Sequence, residues 1–157
     1  MKMDWLLVVA GAGAIAAAMF PRDALAYIQG VAVNINLEPI GDGFELERVA
    51  ALDFVAMRAA ANRSGVVLKV NSAFRTMSAQ QSLYDRFTAG IAGAAAAARP
   101  GFSNHQSGRA VDIEVHRSYT SATYLWLKSN AGNYGFFQPA WARQGGSTEE
   151  PWHWEHA

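Results

Sequence analysis

Ser103-Asn104-His105-Gln106-Ser107-Gly108-Arg109-Ala110-Val111-Asp112 decides how this chain is read once it is set beside Glu150-Pro151-Trp152-His153 near the C-terminus. His105, Asp112 and His153 offer two imidazoles and a carboxylate, a donor set that zinc takes while keeping its fourth tetrahedral position open for water. Glu150 is placed to act as a general base at that open position. Gly108 lets the backbone turn tightly after His105. The alternation of Val111, Ile113 and Val115 against Asp112 and Glu114 then puts Asp112 on a strand, where a ligand is held rigidly. Glu114 shares the face of Asp112 and is a candidate partner for a metal-bound histidine.

Working outward, apolar residues at alternate positions in the second half of Tyr27–Leu37 suggest a half-buried strand, and 39–43 reads as a turn. Leu46, Val49, Leu52, Val55, Ala56 and Ala59 come close to helical spacing and predict an amphipathic helix over Leu46–Asn62, stopped by Ser64-Gly65. Val66–Val70 is β-branched and short, a core strand that delivers Asn71-Ser72-Ala73-Phe74-Arg75 to its end. A second helix is expected over Ser78–Thr88, with Ser78 as cap and Leu83, Tyr84 and Phe87 on one side. The Ala- and Gly-rich stretch 89–98 either prolongs that helix or forms a flap, and Pro100-Gly101 ends it. Ser121–Ser129 predicts a third helix, Ala131–Phe137 a turn into a strand, and Trp152–His156 the last strand.

A chain of 157 residues, about half of them apolar, buries one core and implies a single domain. With 13 basic and 13 acidic residues the formal charge is zero, which argues against a nucleic-acid or other polyanionic partner. The absence of cysteine leaves any metal to His, Asp and Glu. Lys2 precedes an uncharged run from Trp5 to Phe20, shorter and less apolar than a spanning helix of about 20 residues requires. Ala24-Leu25-Ala26 before Tyr27 has the small-x-small form of a signal-peptidase site. Residues 1–26 are therefore read as an export signal, or as an uncleaved anchor giving membrane association, ahead of one domain over 27–157 that acts in the periplasm or cell envelope. A buried Ala-rich helix is the alternative.

Ser103-x-His105-x-x-Gly108-x-Ala110-x-Asp112 followed by Glu150-x-Trp152-His153 resembles the zinc D-alanyl-D-alanine carboxypeptidases and their relatives, the phage L-alanyl-D-glutamate endopeptidases. These peptidoglycan metallopeptidases share a fold with lysostaphin-like peptidases and the hedgehog signalling domain. The resemblance implies an α+β fold, with a small central antiparallel sheet carrying the zinc site and helices flanking it. It further implies that His105, Asp112 and His153 bind zinc, that Glu150 is the catalytic base, and that Arg75, in Ser72-Ala73-Phe74-Arg75-Thr76, holds substrate or polarises its scissile carbonyl. Gln80 matches a family position as well. Ala73 and Phe74 depart from the usual Gly and Tyr, which affects any hydroxyl contact from that aromatic but not the metal centre.

The expected activity is hydrolysis of an amide bond in the peptidoglycan stem peptide by a monomer, in host wall remodelling or phage lysis. D-alanyl-D-alanine carboxypeptidase action leads; L-alanyl-D-glutamate endopeptidase action at the same centre and a non-catalytic zinc-stabilised module are the alternatives. Arg75, Gln80 and Ser103 are the expected substrate contacts, Arg75 binding a carboxylate bidentately or stabilising an oxyanion. Ser103 either donates to bound peptide or caps the turn before His105. His116 and His156 have no partner at motif spacing, and Glu149 points away from Glu150 on an extended segment. Trp152 belongs beside the metal, and Trp126 and Trp141 belong to the core.

Overall fold

Two tight hairpins open the part of the chain that the computed structural model describes, residues 21–157. Strand β1 (Arg22–Ile28) pairs antiparallel with β2 (Val31–Gly41) in a ladder running from Arg22 opposite Leu37 to Ile28 opposite Val31. The turn between them is Gln29-Gly30, with φ of 51° and 83°. Asp42-Gly43, at 57° and 81°, then turns β2 into β3 (Phe44–Glu47). Both are two-residue turns with positive φ at each position, the geometry that matches strand twist. The turn expected over 39–43 is thus confined to its last two residues. Pro39 stays in β2 opposite Glu45, beyond the β1 ladder and at a register shift, where its missing N–H costs little.

The expected export run Trp5–Phe20 lies outside the described residues. Ala24-Leu25-Ala26 lies inside β1, and Ala26 is fully buried. The described fold therefore reaches back to Arg22, upstream of the boundary expected at Tyr27. Among the described residues, no helix is long and apolar enough to cross a membrane.

Helix α1 (Arg48–Arg63) buries Ala50, Ala51, Phe54, Met57 and Ala61. The expected stripe is the other one: Val49, Leu52 and Val55 are about half exposed, and Leu46 belongs to β3. Two faces of this helix have apolar spacing. The one with Phe54 and Met57 separated by alanines gives large side chains to the core and lets the backbone approach closely, and it wins. Gly65, at φ 74°, follows the helix as expected.

A second sheet has the order β4 (Val70–Ser72), β5 (Ala110–Ile113), β7 (His153–His156), β6 (Phe136–Phe137), antiparallel throughout. One face carries Val70, Val111, Ile113, Phe136 and Trp154 into the core with α1 and with Leu127 of α3 (Ala122–Asn130). Phe54 meets Phe136 edge-on at 5.9 Å between ring centroids. Full burial contributes about 1.5–3 kcal/mol for each such side chain, which makes this face the anchor of the fold. Ser121 caps α3 through Tyr124 N–H, and Thr76 rather than Ser78 caps α2 (Met77–Thr88). The fold is α+β, as expected, with one addition: the three-stranded β1-β2-β3 sheet beside the central one.

Candidate metal centre

The opposite face of the central sheet builds the site. Asp112 on β5 stands directly across from His153 on β7 and from Ser72 on β4, so three strands project these side chains in a row from one face. His105 comes from outside the sheet, on a single 3-10 turn over Asn104–Ser107. Gly108 ends that turn at φ 77°, and a Cβ there would lie 2.9 Å from Ile35 Cδ1 and 3.1 Å from the Glu47 backbone nitrogen. Both conformation and space demand glycine. The Glu47 N–H donates to the Gly108 carbonyl at 2.8 Å, tying the turn to β3.

His105 Nε2 lies 3.3 Å and His153 Nδ1 3.0 Å from Asp112 Oδ1, and one donor atom from each residue falls within 4.8 Å of the other two. The outward nitrogens are anchored: His105 Nδ1 is 2.8 Å from the Ala73 carbonyl, and His153 Nε2 is 3.0 Å from Glu155 Oε1. An acceptor on the outer nitrogen keeps a proton there and fixes the ring, so that a cation would displace the proton the inner nitrogen shares with Asp112 and take its lone pair. Two imidazoles and a carboxylate oriented this way fit zinc and leave a coordination position towards the cleft.

The electrostatics agree. Burial pushes the Asp112 carboxyl up, but hydrogen bonds from His105 and His153 outweigh it and hold the group well below the ordinary carboxylate range. Burial lowers His153, while the bonds to Asp112 and Glu155 raise it further, to about 9. The cluster is a place where positive charge is favoured.

Glu150, Arg75, Ser103 and Trp152 line the same cleft as the three ligand candidates, a cavity of about 500 Å³. Burial raises the Glu150 carboxyl above its usual range, and Asp112 nearby adds to the effect while His153 and Arg75 oppose it. Arg75 lies just beyond the end of β4, its N–H bonded to the His105 carbonyl and its guanidinium donating to Gln80 Oε1 at 2.8 Å and Ser72 Oγ at 3.1 Å. Burial lowers its pKa, with Asp112 and Glu150 opposing. Ser103 lines the cleft and makes no side-chain cap bond to its turn. Ala95–Ala98, Leu83 and Phe102 form an apolar wall of the cleft. The stretch after Thr88 is therefore a loop beside the site and not more helix.

Three residues sit differently from expectation. Gln80 is fully buried, where it accepts from Arg75 and donates to the Ala98 carbonyl at 2.7 Å; it braces Arg75 instead of facing substrate. Glu114 accepts from Asn71 and from His116 N–H at the strand's exposed end, and Glu155 takes the place beside the histidine. Trp141 packs against His153 at 4.9 Å between centroids and lines the cleft. Leu83 of α2 lines the cleft too, and Phe87 is exposed. Trp126 packs on the core as expected, and Trp154 is buried in it. His116 is exposed, and His156 pairs with Asp53 at 2.8 Å, away from the site.

Residues 43–157 match the D-alanyl-D-alanine carboxypeptidase (VanY) family. The chain belongs to that family. A D-alanyl-D-alanine carboxypeptidase of Enterococcus faecalis is 29% identical, over 78% of this chain and 52% of its own, so the chain spans about half the length of that curated relative. VanYB in complex with D-alanine-D-alanine is 28% identical with a TM-score of 0.62, covering 79% of this chain and 78% of that one. A variant of the vancomycin-resistance D,D-pentapeptidase VanY in complex with Zn(II) is also 28% identical, with a TM-score of 0.60 and 78% of each chain covered. The LD-carboxypeptidase LdcB reaches 27% identity and 0.59 over 71% of this VanY-family chain and 59% of its own.

Proposed function

We propose that this protein is a zinc-dependent peptidase that removes the terminal D-alanine from peptidoglycan stem peptides, as a D,D-carboxypeptidase does. The observation that carries the reading is the convergence of His105 Nε2, Asp112 Oδ1 and His153 Nδ1 in one cleft with Glu150 and Arg75. The zinc complex of a VanY relative and the D-alanine-D-alanine complex of VanYB support the metal and the substrate class.

When bound, zinc supplies Lewis acidity to the scissile carbonyl and the attacking water. Glu150 takes a proton from that water and passes it to the departing amine, and a carboxyl raised by burial is the better base for both transfers. Arg75, with two donors already oriented by Gln80 and Ser72, offers the rest of its fork to the peptide's carboxylate or to the developing oxyanion. Ser103 holds the peptide through its hydroxyl. The alanine wall together with Trp141 and Trp152 matches a substrate whose side chains are methyl groups.

An enzyme acting on this substrate would work in the cell envelope, and the run Trp5–Phe20 would be its export or anchoring segment. Glu150→Ala is expected to keep its zinc and to lose at least about a hundredfold in kcat. His153→Ala is expected to lose both zinc and activity. Mass spectrometry of digested muropeptides should show loss of one alanine; release of whole stems would overturn the carboxypeptidase assignment, and an active Glu150→Ala would overturn the mechanism.

A further inference from the structure

Glu150 differs from the other residues of the centre in how it is held. His105, Asp112, His153 and Arg75 are each fixed through side-chain bonds. Among the described residues, no hydrogen bond to a protein group holds the Glu150 carboxylate, so its place in the cleft is set by its backbone. That backbone has three ties: Glu150 N–H donates to the Ala142 carbonyl at 2.9 Å, and the Glu150 carbonyl accepts from His153 N–H at 3.1 Å and from Gln138 Nε2 at 3.1 Å.

Gln138 is the only side chain among these donors and acceptors. It is 6% exposed, and its Nε2 also donates to the Ala142 carbonyl at 3.2 Å. Two carbonyls can only accept, so the amide must turn its NH2 towards them; its oxygen then accepts from the hydroxyl of Tyr124, itself buried, at 3.0 Å. Ala142 is pinned in turn by Tyr119, whose hydroxyl donates to the same carbonyl at 2.7 Å. The segment between is closed on itself, with Thr148 and Glu149 N–H both on the Trp141 carbonyl, at 3.1 and 3.3 Å. One amide therefore bridges the two ends of the loop, at Ala142 and at Glu150, and an apolar replacement would leave each carbonyl its other donors, Glu150 N–H and Tyr119 on Ala142 and His153 N–H on Glu150, but no side chain joining the two.

We propose that Gln138 is the positioning residue for the general base: it clamps the loop ends through its NH2 and is aligned by Tyr124, and so sets where the Glu150 carboxylate stands. The proposal rests on the base role given to Glu150 above. A base misplaced by about 1 Å loses on the order of a hundredfold in rate, so a clamp on its backbone acts on kcat and not on substrate affinity.

Gln138→Met keeps the length and removes the donors. In the holoenzyme it is expected to lower kcat about 10- to 100-fold, with KM and zinc affinity unchanged. Hydrogen exchange at the Glu150 amide of the same variant, measured without substrate, is expected to accelerate at least about tenfold while the sheet amides stay protected. Combined with Glu150→Ala, the substitution should add no further loss. Unchanged exchange at Glu150, a rise in KM with kcat intact, or an equal loss in the Glu150→Ala background would each overturn the proposal. Tyr124→Phe, which leaves the ring in place, should show the same pattern at about threefold in kcat, and decides the matter if Gln138→Met does not fold. A wild type that cleaves no peptide would overturn the proposed function, and the exchange result would still test the clamp.

Discussion

At the scale of single residues, the centre depends on groups one layer outside the ligands. Glu155 accepts the outer nitrogen of His153 and is bonded in turn by Asn104. Glu155→Ala is expected to weaken zinc binding about 10- to 100-fold, read by competition with a chromophoric chelator, while leaving the fold intact. This partner was legible in principle: His153 and Glu155 are two apart on a strand and so share a face. The same rule applied to Asp112 pointed to Glu114, which does share that face but stands beyond the ligand cluster, where Asn71 and His116 occupy it. Periodicity tells which side a residue takes; it does not tell how far along the strand the metal lies. Trp141 and Gln80 were harder to read, because their contacts come from loop paths that no local pattern encodes.

At the scale of elements, the motif spacing translated well and the helix faces did not. The segment from Ser103 to Asp112 reads as turn, glycine, strand, and it forms a 3-10 turn, a left-handed glycine and β5. Gly108→Ala is expected to destabilise the fold by about 1–3 kcal/mol in urea titration, since both the positive φ and the approach of Ile35 and Glu47 oppose a Cβ. Helix α1 was legible as a helix, yet its buried face was not, because Val49-Leu52-Val55 and Ala50-Phe54-Met57-Ala61 both satisfy the spacing. Elements are also joined by Asp42 in the β2–β3 turn, which accepts from Val70 N–H of β4 at 3.0 Å and from Arg58 of α1 at 2.6 Å. The backbone donor, more than it loses to burial, lowers this carboxyl below its ordinary value, and Arg58 adds to the effect. A depressed folded-state pKa means stability present above about pH 4 and lost as pH falls through the folded value. Asp42→Asn should cost about 1 kcal/mol at pH 6, discounted for solvent exposure, and progressively less below pH 4, as followed by urea midpoints.

At the scale of the whole molecule, the expected boundary at Tyr27 falls inside strand β1. Ala24-Leu25-Ala26 satisfies the small-x-small pattern and the inner face of β1 equally, and residue identity alone does not choose between them. A chain beginning at Tyr27 would leave β2 without most of its partner, and it is expected to melt several degrees below one beginning at Pro21; equal melting temperatures would support a mature start at Tyr27. The α+β class and the convergence of His105, Asp112 and His153 were legible because the motif fixes both ends of the sheet that carries them, whereas β1 and β3 carry no motif. The pairing of Asp112 with His153 joins residues 41 positions apart in sequence. Register in such a ladder is quantised, and a slip of one residue sends every side chain to the other face. The centre thus has no half-assembled form: metal uptake becomes a yes-or-no report that the last strand has returned in register, and a folding chain can be timed by the moment it first captures the ion.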